Sequence, residues 1–226
     1  MAVLLSETLP TRRTGTNTNP EQLLQTTWQQ AMRHMLSDTT FMLFAAATLL
    51  TSVVFMQAFS TLPMHLSLQG YTEQQIGLAM SINGVLIVLL QVPLTHVLNG
   101  SNRVLILLVG ELLITIGFGM SIWTSVVALL LISITTWTVG EVIQTPFKQS
   151  LVADLAPLEM RGRYMEVFSL CHAIGMTVGV PTGGFILDRI GPTFLWNGCL
   201  VCGVAATVCF VAMHRSHASG IRTRSV

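Results

Sequence analysis

A bundle of helices that crosses a membrane repeatedly is the fold this sequence predicts, on three observations. Of 226 residues, 51% are hydrophobic and only 9% charged, a composition whose surface water would not tolerate. Apolar segments of about twenty residues recur, each long enough to cross a hydrocarbon core as a helix that satisfies its own backbone. The basic residues fall on one side of the map these segments define. A mean hydropathy of +0.67 agrees. The expected class is an all-α polytopic membrane protein with six transmembrane helices, in contact with the lipid bilayer. A net charge of +1 points to no nucleic-acid partner.

Residues 1–37 are polar, and Arg12 and Arg13 precede no apolar core, so they form no secretory signal and read as a cytoplasmic lead. Within them Leu23, Leu24, Trp28, Ala31, Met32 and Met35 recur at helical spacing. That short amphipathic helix either lies along a membrane surface or packs on the ends of the bundle. The membrane domain covers 38–213. Its first span runs from about Thr40 to Met64 and carries Ser52, Gln57, Ser60 and Thr61. The second, from about Glu73 to Val97, opens with Thr72 and Gln75 at capping-box spacing and holds Asn83 and Gln91. LNGSNR leads to the third, from Val104 to about Ile122, which contains Glu111. The fourth, from about Thr124 to Phe147, is the most polar, with Ser133, Thr135, Thr136, Thr138, Glu141 and Gln144.

A charged connection is expected from Lys148 to Arg163, between apolar runs that carry no charge from Leu112 to Val139 and from Val167 to Leu187. The fifth span, Tyr164 to Leu187, contains Gly175, Gly179 and Gly183 at four-residue spacing, small residues that let another helix approach closely. Asp188, Arg189, Gly191 and Pro192 turn the chain into the sixth span, from about Thr193 to Met213. The basic tail, 214–226, is expected to be unordered and cytoplasmic. On this map Arg12, Arg13, Arg33, Arg103, Lys148, Arg161, Arg163, Arg215, Arg222 and Arg224 share the side of both termini, against Arg189 alone on the other. By the positive-inside rule that side is the cytoplasm and the location the cell membrane.

The residues that would carry other chemistry are missing or badly placed. No cofactor is indicated. Cys171, Cys199, Cys202 and Cys209 all fall in apolar stretches, where a thiol is usually a packing residue. His65, His96, His214 and His217 fall at span ends or in the tail, where they meet water or lipid head groups, and make no metal site. His172 reads as a hydrogen-bonded helix-packing residue. An enzyme would need a nucleophile with its base, paired membrane aspartates or H-E-x-x-H, and a nucleotide-driven pump a phosphate loop. None is in the chain.

The stretch GEVIQTPFKQSLVADLAPLEMRGRYMEVFSL, with GYTEQQIGLAMSINGVLIVLLQVPLTHVL before it and GVPTGGFILDRIG after it, resembles the carboxyl-terminal half of the major facilitator superfamily, in its drug and small-solute efflux branch. The resemblance covers about Trp28 to Met213. It implies one half of a twelve-helix, major-facilitator-type bundle whose two halves rock about a central cavity. In that family the first and fourth helices of a half line the cavity, the second and fifth pack between halves, and the third and sixth face outward. Gln57, Ser60, Thr138, Glu141 and Gln144 are then expected in the substrate or proton pathway. Asn83, His172, Gly175, Gly179 and Gly183 are expected to pack between halves, and Glu111 to be peripheral. The family's cytoplasmic G-x-x-x-D-R-x-G signature has no acid to match it in THVLNGSNR. The string from Gly184 to Gly191 falls on the outer face, so no gating role passes to Asp188 and Arg189.

The resemblance implies secondary active, proton-coupled efflux of small molecules, completed by a second six-helix half, either a separate amino-terminal half or a second copy. The alternative is a truncated, inactive fragment or a membrane interaction subunit. Glu141 is either a proton-coupling carboxylate or a brace paired with Lys148, Arg161 or Arg163. Arg161 and Arg163 are either a cytoplasmic latch between halves or a positive-inside anchor. Glu111 finds no charge at helical spacing and is a candidate second proton site. The topology has a direct test: cysteines placed at Arg189 and at Ser219 are expected to react with impermeant reagents from opposite compartments, and labelling of both from one compartment refutes the six-span map.

Overall fold

The computed structural model describes residues 28–223. The lead through Thr27, with Arg12 and Arg13, and the end of the tail, with Arg224, lie outside the described residues, as do the side chains of Trp28, Ala31, His217 and Arg222. Six helical stretches are long and apolar enough to cross a membrane: Thr39–Leu68, Glu73–Leu98, Arg103–Trp123, Val127–Leu155, Leu158–Arg189 and Pro192–Arg215. No strand occurs among the described residues.

A short helix α1, Trp28–Ser37, precedes the first span. Asp38 then caps α2, Thr39–Phe55, by accepting a hydrogen bond from the Phe41 N–H at 3.1 Å. The first span is not continuous. A 3-10 turn at Met56–Ala58 separates α2 from α3, Thr61–Leu68. Pro63 accounts for the break, because its ring conflicts with the carbonyl four residues back, that of Phe59. Helix α4, Glu73–Leu98, starts with the expected capping box of Thr72 and Gln75. Asn102 caps α5, Arg103–Met120, through the N–H groups of Val104 and Leu105.

The fourth span differs from expectation in length. Helix α6 covers Val127–Leu155 and α7 covers Arg161–Arg189, so Lys148 and Asp154 are helical and the connection shrinks to a short link with a 3-10 turn at Leu158–Met160. The link starts where it does because a residue before proline avoids the helical region. Ala156, before Pro157, has ψ 130°. After Gly191, at φ +117°, Pro192 opens α8, which continues to Thr223. Most of the tail expected to be unordered is therefore helix, since no proline follows Met213 to end it.

The spans pack in the spatial order α7, α2, α8, α5, α6, α4. The span containing α5 is the most enclosed, with 56% of its most apolar stretch buried, against 11% for α4 at one end of the row and 22% for the span containing α7 at the other. Two apolar clusters divide the bundle by depth. One, nearest the described ends of the chain, joins Met35, Phe41, Phe44, Phe147, Tyr164, Phe210 and Met213. The other, at the opposite end, joins Val54, Leu62, Phe118, Trp137, Leu187 and Trp196. Between them every helix of the row contributes small or polar residues: Thr51 and Ser52 of α2, Asn83 of α4, Glu111 of α5, Gln144 of α6, Gly175 of α7 and Gly203 of α8.

Glycine sets the closest approaches, and the pairing differs from the one expected. Gly175, Gly179 and Gly183 lie against the first span of this same chain, not on a face turned toward another half. A Cβ at Gly175 would stand 2.6 Å from the Ser52 Cβ, one at Gly179 would stand 2.9 Å from the Val53 carbonyl, and one at Gly183 would run into the Gln57 amide. Asn83 is likewise buried inside the bundle, between α4 and α6. A second approach, between α5 and α6, is mutual. A Cβ on Gly140 would stand 2.6 Å from the Gly110 carbonyl, and one on Gly110 would stand 2.9 Å from the Gly140 carbonyl. Because the obstruction is backbone, Gly140→Val is expected to cost about 1–3 kcal/mol. Unfolding in detergent micelles checks this, and a variant as stable as the parent would show that the approach is not tight.

Candidate functional site

Glu141, Gln144 and Lys148 follow one another at i, i+3 and i+7 along α6, which places them on one face. That face meets α2, where Thr48, Thr51 and Ser52 recur at i, i+3 and i+4, and α7, which presents Phe168 and His172. The space between has a volume of about 270 Å³. It lies at the depth where the two apolar clusters part.

Glu141 is half-buried, and its Oε2 accepts a hydrogen bond from Asn83 Nδ2 at 3.0 Å. The other Asn83 hydrogen goes to Thr138 Oγ1 at 3.1 Å, whose own hydroxyl donates to the Ile134 carbonyl at 2.6 Å. Glu141 is thus fastened to α4 and pairs with neither Arg161 nor Arg163. Arg161 Nε donates to the Ala153 carbonyl at 3.1 Å, and Arg163 lines a groove beside Met32 and Met35 of α1. The ion pairs among the described residues are Arg103 with Asp154, which ties the start of α5 to the end of α6, and Arg189 with its neighbour Asp188. Lys148 forms no ion pair there, yet its charge acts on both Glu111 and Glu141.

Glu111 is not peripheral. Leu105, Val109, Leu112 and Ile116 form the outward stripe of α5, and Glu111 sits on the other side with no exposed surface. Its Oε2 lies 2.8 Å from Gln144 Nε2 and 2.8 Å from Thr51 Oγ1. Gln144 Nε2 also donates to the Leu107 carbonyl at 3.0 Å, which fixes the orientation of the amide. One carboxyl therefore joins α5 to both α2 and α6.

Of the five residues expected in the pathway, Glu141 and Gln144 line the cavity. Gln57 occupies the break in the first span, where Nε2 donates to the Val53 carbonyl at 2.9 Å and the Gly179 carbonyl at 2.8 Å, and Oε1 accepts from Thr61 at 2.9 Å. Ser60 bonds the Met56 carbonyl in the same break. These side chains supply the partners that an interrupted helix lacks. Thr138 is spent on Asn83 and Ile134. His172, exposed on α7, reaches across to Ser52 Oγ at 2.7 Å. Sequence reasoning missed Lys148 as a cavity residue because it placed the end of α6 too early. The polar stripe of Thr48, Thr51 and Ser52 was the available signal for the facing wall.

His65 also departs from expectation. It is 4% exposed, and Trp196 Nε1 donates to its Nδ1 at 2.9 Å. Its Nε2 faces the Gln69 side chain at 3.1 Å, and Gln69 in turn accepts from Thr124 at 3.2 Å. The break after Ala58 turns α3 so that His65 points inward, away from water and lipid. Among the described residues no three His, Cys, Asp or Glu side chains gather closely enough to hold a metal ion.

The sequence profile described as Major Facilitator Superfamily matches residues 1–180. The chain belongs to that superfamily. Among its curated relatives is the uncharacterized MFS-type transporter YdeE of Escherichia coli (strain K12), 26% identical over 223 residues that cover 97% of this chain and 51% of the relative. The Na(+), Li(+), K(+)/H(+) antiporter of Planococcus maritimus is 26% identical over 161 residues, 64% of this chain and 38% of that protein. The uncharacterized MFS-type transporter YhjO of Bacillus subtilis (strain 168) is 32% identical over 120 residues, 52% of this chain and 29% of its own. The chain thus spans about half the length of the first relative and less of the others. Six spans and superfamily membership make it a multi-pass membrane protein.

Trp196→Phe leaves His65 Nδ1 without its donor and also trims a fully buried ring, and is expected to cost at least about 1–3 kcal/mol. Thermal unfolding in micelles measures it. An unchanged midpoint would mean that the His65 bond contributes nothing.

Proposed function

We propose that this chain is one half of a secondary active transporter that exports small molecules in exchange for protons, with Glu141 the carboxyl that binds and releases the coupling proton. The observation that carries the reading is Glu141 itself: a half-buried carboxylate at mid-depth of a membrane bundle, held by an amide and not by a base, on the wall of a cavity. An ionisable group so placed is costly in a membrane and marks a pathway for ions or substrate by default. The name of the Planococcus relative, an antiporter exchanging Na(+), Li(+) or K(+) for H(+), supports proton exchange.

The cavity is walled by α2, α6 and α7, with Ile114 of α5, and needs a facing wall. A second six-helix half supplies it, as further polypeptide or as a second copy. The exposed apolar residues of α4, among them Leu78, Val85, Leu89 and Val92, and of α7, among them Ile174 and Val178, suit either that half or lipid. In the assembled carrier Arg161 and Arg163 form the latch at the cytoplasmic side, and both termini lie in the cytoplasm of a cell-membrane protein.

Reconstituted with its mate in vesicles, the carrier is expected to export dye when a proton gradient is imposed, and Glu141→Gln to abolish that export while leaving assembly intact. Wild-type export by the variant with unchanged pH dependence would refute the coupling role. An assembled carrier that moves no solute under any gradient would refute transport altogether.

A further inference from the structure

Glu111 does not line the cavity, and one of its two carboxyl oxygens, Oε1, is buried without a partner among the described residues, which suits an ionised carboxylate poorly. Thr51 Oγ1 lies 2.8 Å from Glu111 Oε2 and 2.8 Å from the Ala47 carbonyl. A threonine hydroxyl has one hydrogen and cannot donate to both. If it donates to Ala47, the hydrogen between Thr51 and Glu111 must belong to Glu111. The Gln144 amide does not change this count, because Leu107 holds its NH₂ toward the carboxyl, so Oε2 accepts there in either state. Oε1 is buried and has no partner among the described residues. An anion spread over two oxygens, one of them unmet and neither exposed, is a poor occupant of that place. A neutral acid leaves only a carbonyl-type oxygen unmet.

The surrounding charges agree. Helix α2 has no charged residue along its length, and α8 has none from Pro192 to Met213, where its titratable groups are Cys199, Cys202 and Cys209. From α6 come Lys148 and Glu141, and from α7 His172, which is engaged with Ser52. Two acids thus share one base, and a single added proton makes the trio neutral.

We propose that Glu111 is a second proton-binding site of this chain, protonated in the arrangement seen here, with its Oε2–H donating to Thr51 and the Thr51 hydroxyl donating to Ala47. When the proton leaves through the cavity, which Thr51 and Gln144 line, the hydroxyl turns from Ala47 to Glu111. Ala47 loses nothing essential, because its carbonyl keeps the helical bond from the Thr51 backbone N–H. Lys148, one helical turn beyond Gln144 on α6, is then the base whose charge acts on Glu111. The use of this proton in coupling rests on the transport reading, but its presence does not.

Infrared spectroscopy of the full chain in lipid bilayers at neutral pH tests the proposal without any transport assay. The expected result is the carbonyl stretch of a protonated carboxyl, sensitive to D₂O, lost in Glu111→Gln, moved to higher frequency in Thr51→Val and kept in Glu141→Gln. Absence of the band in the parent, or its survival in Glu111→Gln, overturns the proposal. Its loss in Glu141→Gln alone would put the proton on Glu141, overturning the proposal while sparing the coupling role given to that residue. Should Glu111→Gln fail to assemble, Thr51→Val decides: a displaced band supports the site and an unmoved one overturns it.

Discussion

A carboxyl with no exposed surface can stay in a membrane bundle only if the neighbouring helices bring polar partners to it, and in this chain one such group organises three helices. Glu111 of α5 is met by Gln144 of α6 and Thr51 of α2, each at 2.8 Å. The requirement explains why small and polar residues collect at one depth. Gly110 and Gly140 admit α6 to within backbone contact of α5, which brings Gln144 into reach. Without a close approach the carboxyl would be left unpaired in hydrocarbon, where burial costs several kcal/mol.

The same economy governs the first span. The helix is interrupted ahead of Pro63, and the freed backbone is served by Gln57, Ser60 and Thr61, while Gly183 leaves the room that Gln57 occupies. Interruption of a membrane helix is tolerated where side chains and a neighbouring helix take over its hydrogen bonds. One consequence is the inward turn of α3, which buries His65 against Trp196. The glycine stripe of α7 therefore belongs to the interior of this bundle, and the outward faces of α4 and α7 are made of Leu, Val and Ile instead.

The division by depth also bears on chemistry. Apolar clusters at both ends exclude water from the packed interior, while Thr48, Thr51, Ser52, Gln144 and Lys148 keep one wall polar between them. Charged groups in such a place interact strongly because little solvent screens them. Glu141 and Glu111 occupy the same layer but differ in environment. Glu141 opens on the cavity and holds one amide, whereas Glu111 lies behind the wall with its hydrogen bonds counted out.

Hydropathy and charge were enough to predict the six spans, the spacing of Thr72 and Gln75 the second-span cap, and the quoted stretches carried the superfamily resemblance, because each depends on local sequence. Glu141 and Gln144 were expected near the cavity from the superfamily resemblance, which puts the fourth helix of a half on its wall. The end of α6 was not, since Lys148 and Asp154 look like a loop until the pairing of Arg103 with Asp154 and the extended Ala156 are seen. The place of Glu111 was misjudged because a helix expected to face outward still has an inner side, and which residues occupy it depends on rotation about the axis. The sequence by itself determined how many times the chain crosses the membrane and which residues are costly there. Only the tertiary structure decided which partners meet that cost, because rotation and spacing of helices are settled by side chains far apart in the chain.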